Sequence, residues 1–178
     1  MSDITALSCH CGNVSLSLVG APFMVVECCC NSCREAGERF LSLSSDASTF
    51  AENGTVPFVM QRNDRTRITR GKEHLAVHRL DDSATTSRVL ATCCNTPIFL
   101  HMKGGHWVSV YGTLWEDEQR PAPEMRTLTV DCPDLASLST DIPNLKTHSL
   151  SFYWQLFKAW AGMGFRSNAI KIERKIDA

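Results

Sequence analysis

All but one of the nine cysteines fall into three clusters: Cys9-His10-Cys11-Gly12, Cys28-Cys29-Cys30-Asn31-Ser32-Cys33, and Cys93-Cys94. Thiolates are zinc ligands, and two of them on one tight turn can chelate a tetrahedral ion that a second pair from elsewhere in the chain completes. Cys9 and Cys11 need such a partner, and Cys93-Cys94 is the distant pair on offer. The middle cluster differs. Cys28, Cys30 and Cys33 form a C-x-C-x-x-C run that supplies three sulfurs from a strand end and the following turn. Three ligands leave a fourth position open, and an open position separates a catalytic zinc from a structural one, because water or a substrate thiol can enter it. A thiol with a free pKa near ~8.5 is largely thiolate at neutral pH once metal-bound.

The remaining reactive side chains carry blander readings. Cys29 alternates away from its neighbours on a strand and reads as core, and Cys132 reads as a plain thiol. His10 is a spacer between two ligands, and His74, His78, His101, His106 and His148 show no metal-ligand spacing among themselves. None of them is assigned a role.

The elements that must position these residues read as mostly β. Alternation at Val14, Leu16 and Leu18, and the run Phe23 to Val26, predict two strands joined through Gly20-Ala21-Pro22. Further strands are expected at 40–43, 57–61, 75–80, 87–91, 98–102 and 108–114. A short helix is expected from Ser32 to Glu38 with Asn31 as its cap, and a longer one from Ser149 to Met163. In that second helix Tyr153, Leu156, Phe157 and Trp160 share a face, which is expected to dock on the core or on a second subunit. Trp107, Tyr111 and Trp115 fall on one strand face and Val108, Val110 and Leu114 on the other, giving core packing or an aromatic wall beside a ligand. The stretch from Glu116 to Asn144, rich in Pro, Asp and Ser, reads as a long connection or flap. The basic run Arg62, Arg65, Arg67, Arg70 and Lys72 has no interleaved aromatics and reads as a solvated hairpin.

With 178 residues and 43% hydrophobic content, one sizeable core is expected. The expected organisation is a single domain over 1–178: a core at 7–115, a connection at 116–148, and a terminal helix and tail at 149–178. A net charge of -1, from 18 Lys+Arg against 19 Asp+Glu, gives no electrostatic reason to bind nucleic acid or an anionic membrane. The first residues lack the features of an export signal and no apolar stretch approaches the ~20 residues of a membrane span, so a cytoplasmic protein is expected. Nine cysteines in a reducing compartment, an odd number, argue for metal ligation or thiol chemistry over a disulfide framework.

The order C-H-C-G, a short hairpin with Gly-x-Pro, C-x-C-x-x-C-R-x-x-G, and later C-x-T-P resembles the glutathione-dependent formaldehyde-activating enzyme family, a zinc-binding β-tent fold. The likeness runs from about Leu7 to Leu114, and Cys28 to Gly37 is its specific part. The resemblance implies a structural zinc held by the first and last cysteine pairs, Cys9 and Cys11 with Cys94 matching the last family cysteine. It further implies a second, exchangeable zinc at Cys28, Cys30 and Cys33 that trades ligands with glutathione. One departure stands in the last pair. The family has two cysteines three apart followed by Gly, whereas here Ala91 holds the earlier position, Cys93 adjoins Cys94, and Asn95 replaces Gly. This resembles a divergent Cys-Cys-Asn-Thr-Pro branch. Adjacent side chains on an extended strand point apart, so Cys93 serves the structural zinc only if the backbone turns sharply; otherwise it reaches the triplet or serves neither.

The implied activity is a carbon-sulfur lyase reaction run toward the adduct, in which glutathione or a similar small thiol, held at zinc as thiolate, attacks formaldehyde or another small aldehyde. Arg34 and Arg39 follow the triplet, and the fork of Arg34 suits a glutathione carboxylate. The alternative is a noncatalytic zinc-stabilised β module that binds a protein partner, senses redox state or buffers metal.

Overall fold

A computed structural model describes residues 3–44 and 47–176. The ends of the expected 1–178 domain, Met1, Ser2, Asp177 and Ala178, lie outside the described residues. The chain forms strands β1 (Ile4–Ser8), β2 (Ser15–Val19) and β3 (Met24–Cys28), then helix α1 (Asn31–Leu43). Strands β4 (Val56–Arg62), β5 (Thr66–Arg70), β6 (Leu75–His78), β7 (Thr86–Ala91), β8 (Thr96–Met102), β9 (Trp107–Tyr111) and β10 (Met125–Thr127) follow, and helix α2 (Leu150–Ala161) closes the order. The fold is mainly β with two helices, as the strand patterning and the family resemblance lead one to expect. One sheet runs β1-β2-β5 and the other β10-β3-β4-β9-β8-β7-β6. Neighbours are antiparallel except β10 and β3, which are parallel.

Two apolar layers flank the larger sheet. Leu16 and Leu18 of the small sheet pack with Val59, Val89, Phe99, Val108 and Val110 on one face. Val26, Phe58, Met60 and Tyr111 on the other face pack with Ala36 and Phe40 of α1 and Phe152 of α2. Strands covered on both faces lose the polar alternation of a half-exposed strand, which is why Val56 to Gln61 is buried throughout. Gln61 satisfies its amide in this interior by donating from Nε2 to the carbonyls of Gly20 and Ala21. Among Trp107, Tyr111 and Trp115, the first two stay with the helix-facing layer, and Trp115, beyond the end of β9, joins the other.

Four expectations are corrected. Residues 40–43 are the last turn of α1 and not a strand, because Cys33, Ala36, Gly37 and Phe40 are buried at helical spacing and carry the helix past Glu38. Gly37 is required there: a Cβ would lie 2.5 Å from the Phe50 ring. The helix cap is Cys30, whose sulfur accepts from the Cys33 N–H at 3.4 Å, and Asn31 is the first helical residue. In α2, begun by the Ser149 hydroxyl accepting from the Phe152 N–H, the buried residues are Phe152 and Ala159. Tyr153, Phe157 and Trp160 are exposed, so the aromatic face points outward. Finally, the basic run holds an edge strand, β5, whose arginines face solvent and discourage further pairing.

The stretch 116–148 contributes a strand of its own. β10 pairs with β3 in the register Thr127 to Cys28, so the connection is stitched to the strand that ends at the cysteine triplet. Arg126, nearly fully buried, holds it by ion pairs to Glu27 at 2.7 Å and Asp141 at 2.9 Å. Among the described residues no helix is long and apolar enough to cross a membrane.

Candidate metal centres and active site

The first cysteine group sits where the two sheets meet. Cys9 directly follows β1, and its turn is shaped by the Gly12 N–H donating to the Cys9 carbonyl and the Val14 N–H donating to the Cys9 sulfur. Cys93 and Cys94 lie in the β7–β8 turn, where Asn95 takes a left-handed φ of 59°. Asn is the residue besides Gly that adopts this conformation readily, and the reversal it provides lets adjacent cysteines face one point. Sulfur separations are 3.6 Å for Cys9 to Cys11, 3.8 Å for Cys9 to Cys93, 3.3 Å for Cys11 to Cys93 and 3.9 Å for Cys93 to Cys94. Four sulfurs at ~2.3 Å from a tetrahedral zinc stand ~3.8 Å apart, so this donor set fits the ion. The chain thus gathers Cys9, Cys11, Cys93 and Cys94 from turns more than eighty residues apart, with all four sulfurs within 4.8 Å of one another. Burial pushes the Cys9 thiol up. Burial also pushes Cys94 upward, but hydrogen bonding from Thr96 and from the Cys11 backbone outweighs it and holds the thiol at about 6.

Cys28, Cys30 and Cys33 form a second group within the same 4.8 Å limit. Each comes from a different backbone context: the end of β3, the cap of α1, and the first turn of α1. A helix N-terminus favours a thiolate. Cys30, at the cap, is the thiol of the three whose pKa is lowered. Hydrogen bonds from Cys28 and Cys33, helped by Ser32 and the Cys33 backbone, hold it far below the ordinary thiol range. The same sharing with Cys30 and Cys33, together with burial, pushes Cys28 well up. Cys33 reaches about 12, the lowering contact with Cys28 being outweighed by Cys30 and burial. Three sulfurs on one ion supply one negative charge beyond zinc's two positive ones, and a buried cation is near to meet it. Arg88 on β7 is 1% exposed, donates from Nη2 to the Ser32 carbonyl at 2.9 Å, and acts electrostatically on Cys33.

The triplet borders a cavity of about 420 Å³. Val26, Phe58 and Met60 line it from the sheet, with Leu100 and Trp107 from β8 and β9, and Phe152 and Leu156 from α2. His148 lines it too, stacked on Phe152 with centroids 4.2 Å apart. Burial pushes the His148 imidazole below its usual pKa, with a smaller opposing pull from Cys30. Arg34 does not line this cavity. It borders a smaller recess with Cys29 and Cys132, and its guanidinium donates to the Asp131 carbonyl and to Asn31 Oδ1. A larger groove of about 570 Å³, near Phe50 and Arg120, is lined by no cysteine or histidine.

A family model described as glutathione-dependent formaldehyde-activating enzyme matches residues 4–131. The chain belongs to that family. A comparison with curated proteins finds no significant match. Among solved structures, the crystal structure of a Rhodobacter sphaeroides structural-genomics target is similar at 17% identity and a TM-score of 0.48, covering 69% of this chain and all of that one. Both cysteine groups of this chain are assembled as sets that could hold a metal ion, and a functional reading rests on them. Two residues beside the triplet, Arg88 and His148, carry no signal in the sequence. Arg88 is 55 residues beyond Cys33 and His148 is 115 beyond it, neither in a motif.

Proposed function

We propose that this family member joins a small thiol, glutathione or a similar one, to formaldehyde or another small aldehyde, as a zinc-dependent carbon-sulfur lyase acting toward the adduct. The observation that carries the reading is the contrast between the two cysteine groups: one has four sulfurs, the other three beside a cavity. A four-sulfur set is complete for zinc, and a three-sulfur set leaves room for one more ligand. Cys9, Cys11, Cys93 and Cys94 would hold the structural ion, and Cys28, Cys30 and Cys33 the exchangeable one. When bound, the second zinc supplies a position at which a substrate thiol is favoured as its thiolate. The helix start at Cys30 and the Arg88 guanidinium stabilise negative charge on the sulfurs around that position. The proton leaving the thiol on binding passes to solvent. The sulfur then bonds to the carbonyl carbon, the C=O π pair moves to oxygen, and that oxygen takes a proton from solvent relayed by His148, whose imidazole burial keeps below its usual pKa. The cavity contributes orientation and exclusion of water.

Calorimetric titration with glutathione in buffers of different ionisation enthalpy tests the thiol step. Binding is expected to release a proton and to tighten as pH rises toward the free thiol pKa of ~8.5. S-methylglutathione is expected to bind far more weakly. Equal affinity for the methylated analogue, or no proton released, overturns the reading in favour of a noncatalytic zinc module.

A further inference from the structure

The cavity beside the triplet has a composition at odds with the two substrates that the family description names. Among the described residues its lining includes no Asp, Glu, Lys or Arg. Glutathione carries two carboxylates and an ammonium at neutral pH, and a charge moved into apolar surroundings without a partner is strongly disfavoured. The nearest motif arginine, Arg34, is already bonded to Asp131 and Asn31 beside a different recess. Formaldehyde, a single carbon, would leave most of 420 Å³ unfilled, whereas cavities of this size ordinarily hold a molecule of many heavy atoms. The apolar surface is also built into the fold. Val26, Phe58 and Met60 are each at most 4% exposed and form its floor, and Phe152 at 7% belongs to its wall. The rim is formed by Met102 and Tyr153, 41% and 56% exposed, so the cavity opens to solvent at an apolar edge.

From this geometry we infer that the cavity binds an uncharged aliphatic or aryl group of the reacting partner, such as the chain of a medium-length aldehyde or thiol. The inference rests on the thiol–aldehyde reading for what reacts, and on the cavity alone for what binds. Such a group displaces water from Trp107, Leu100 and Phe58 while its reactive end reaches the Cys28–Cys30–Cys33 group. Each methylene buried against this surface tightens binding about fourfold.

The cavity is tested without any chemistry by calorimetric titration of the zinc-loaded protein with butan-1-ol, hexan-1-ol and octan-1-ol. Affinity is expected to rise about fourfold per methylene until the cavity is full, and hexanoate is expected to bind about tenfold more weakly than hexan-1-ol, or worse. Leu100→Lys is expected to reverse that order, hexanoate then binding better than the alcohol. Met102→Lys at the exposed rim gives the same reversal in smaller degree, should the first variant fail to fold. Length-independent alcohol binding, or hexanoate matching hexan-1-ol in the unaltered protein, overturns the inference. Hexanethiol and hexanal then say which partner carries the chain: tighter binding of hexanethiol than of glutathione puts it on sulfur, and a length dependence confined to alkanals puts it on the carbonyl. Absence of both also overturns it. Loss of proton release on thiol binding, with the alcohol series intact, would remove the lyase reading and leave the apolar site standing.

Discussion

His148 and Cys30 can be separated experimentally because in the proposed reaction one would move a proton and the other would hold a metal. Burial beside Phe152 keeps the imidazole neutral at pH 7, the form able to take a proton and return it. His148→Asn is expected to lower kcat for adduct formation by about 10²- to 10⁴-fold, with glutathione affinity and bound zinc unchanged. Stopped-flow rates beside metal analysis check this, and a variant that loses zinc with its rate would make His148 a supporting residue. Arg88 has a different part. A guanidinium 1% exposed that acts on Cys33 is costly without negative charge near it and stabilising with it, so it ties the packing of β7 to the charge state of that sulfur.

At the scale of elements, a buried cation joins strand pairing in holding the connection 116–148. Arg126 donates to Glu27 on β3, to the Ser139 carbonyl and to Asp141, and so fixes β10 beside the strand that ends at Cys28. Hydrogen bonding from Ser139, then from Arg126, lowers the Asp141 carboxyl to about 2 from 3.8. A depressed carboxylate contributes stability that is present above its unfolded pKa and lost as pH falls through the folded one. Protection of the amides around 125–145 from hydrogen exchange is therefore expected to hold at pH 5 and to fall between pH 4 and pH 2. Asp141→Asn should flatten that dependence. This strand was hidden from sequence reading for a physical reason. Met125-Arg126-Thr127 is three residues long with a charged centre, and it is a strand because Arg126 finds partners in space. β1 was hidden likewise, since only Leu7 of Ile4 to Ser8 is buried and the alternation is too weak to see. By contrast, both cysteine groups were legible, because metal-ligand chemistry imposes short spacings that packing does not. For α2 the sequence leaves open whether the stripe of Tyr153, Leu156, Phe157 and Trp160 meets the core or a second subunit; in the structure Leu156 packs on the core beside Phe152, and Tyr153, Phe157 and Trp160 are exposed. Periodicity alone does not say which of two apolar stripes meets the sheet.

Across the whole molecule the two cysteine groups occupy different mechanical positions. Cys9 and Cys11 lie in the turn between β1 and β2 of the three-stranded sheet, and Cys93 and Cys94 in a turn of the seven-stranded one, so a metal there would staple the two sheets over their shared apolar layer. Cys28, Cys30 and Cys33 span one local strand-to-helix junction that the packing of Ala36 and Phe40 already anchors. Structural zinc contributes about 10–16 kcal/mol of apparent binding free energy that counts as folding free energy, which is as large as the ~5–15 kcal/mol net stability of a typical domain. An ion added to a formed junction contributes far less to folding. Cys9→Ala and Cys11→Ala are therefore expected to lower the melting temperature severely or to prevent folding, while Cys30→Ser melts close to the unaltered protein but loses one zinc per chain. Titration with a chelator should show the same order, with the first ion leaving at little cost in secondary structure and the second taking the β-sheet circular dichroism with it. Equal destabilisation by Cys9→Ala and Cys30→Ser would mean that the triplet is a second staple, and the open position on which the chemistry depends would have to be given up.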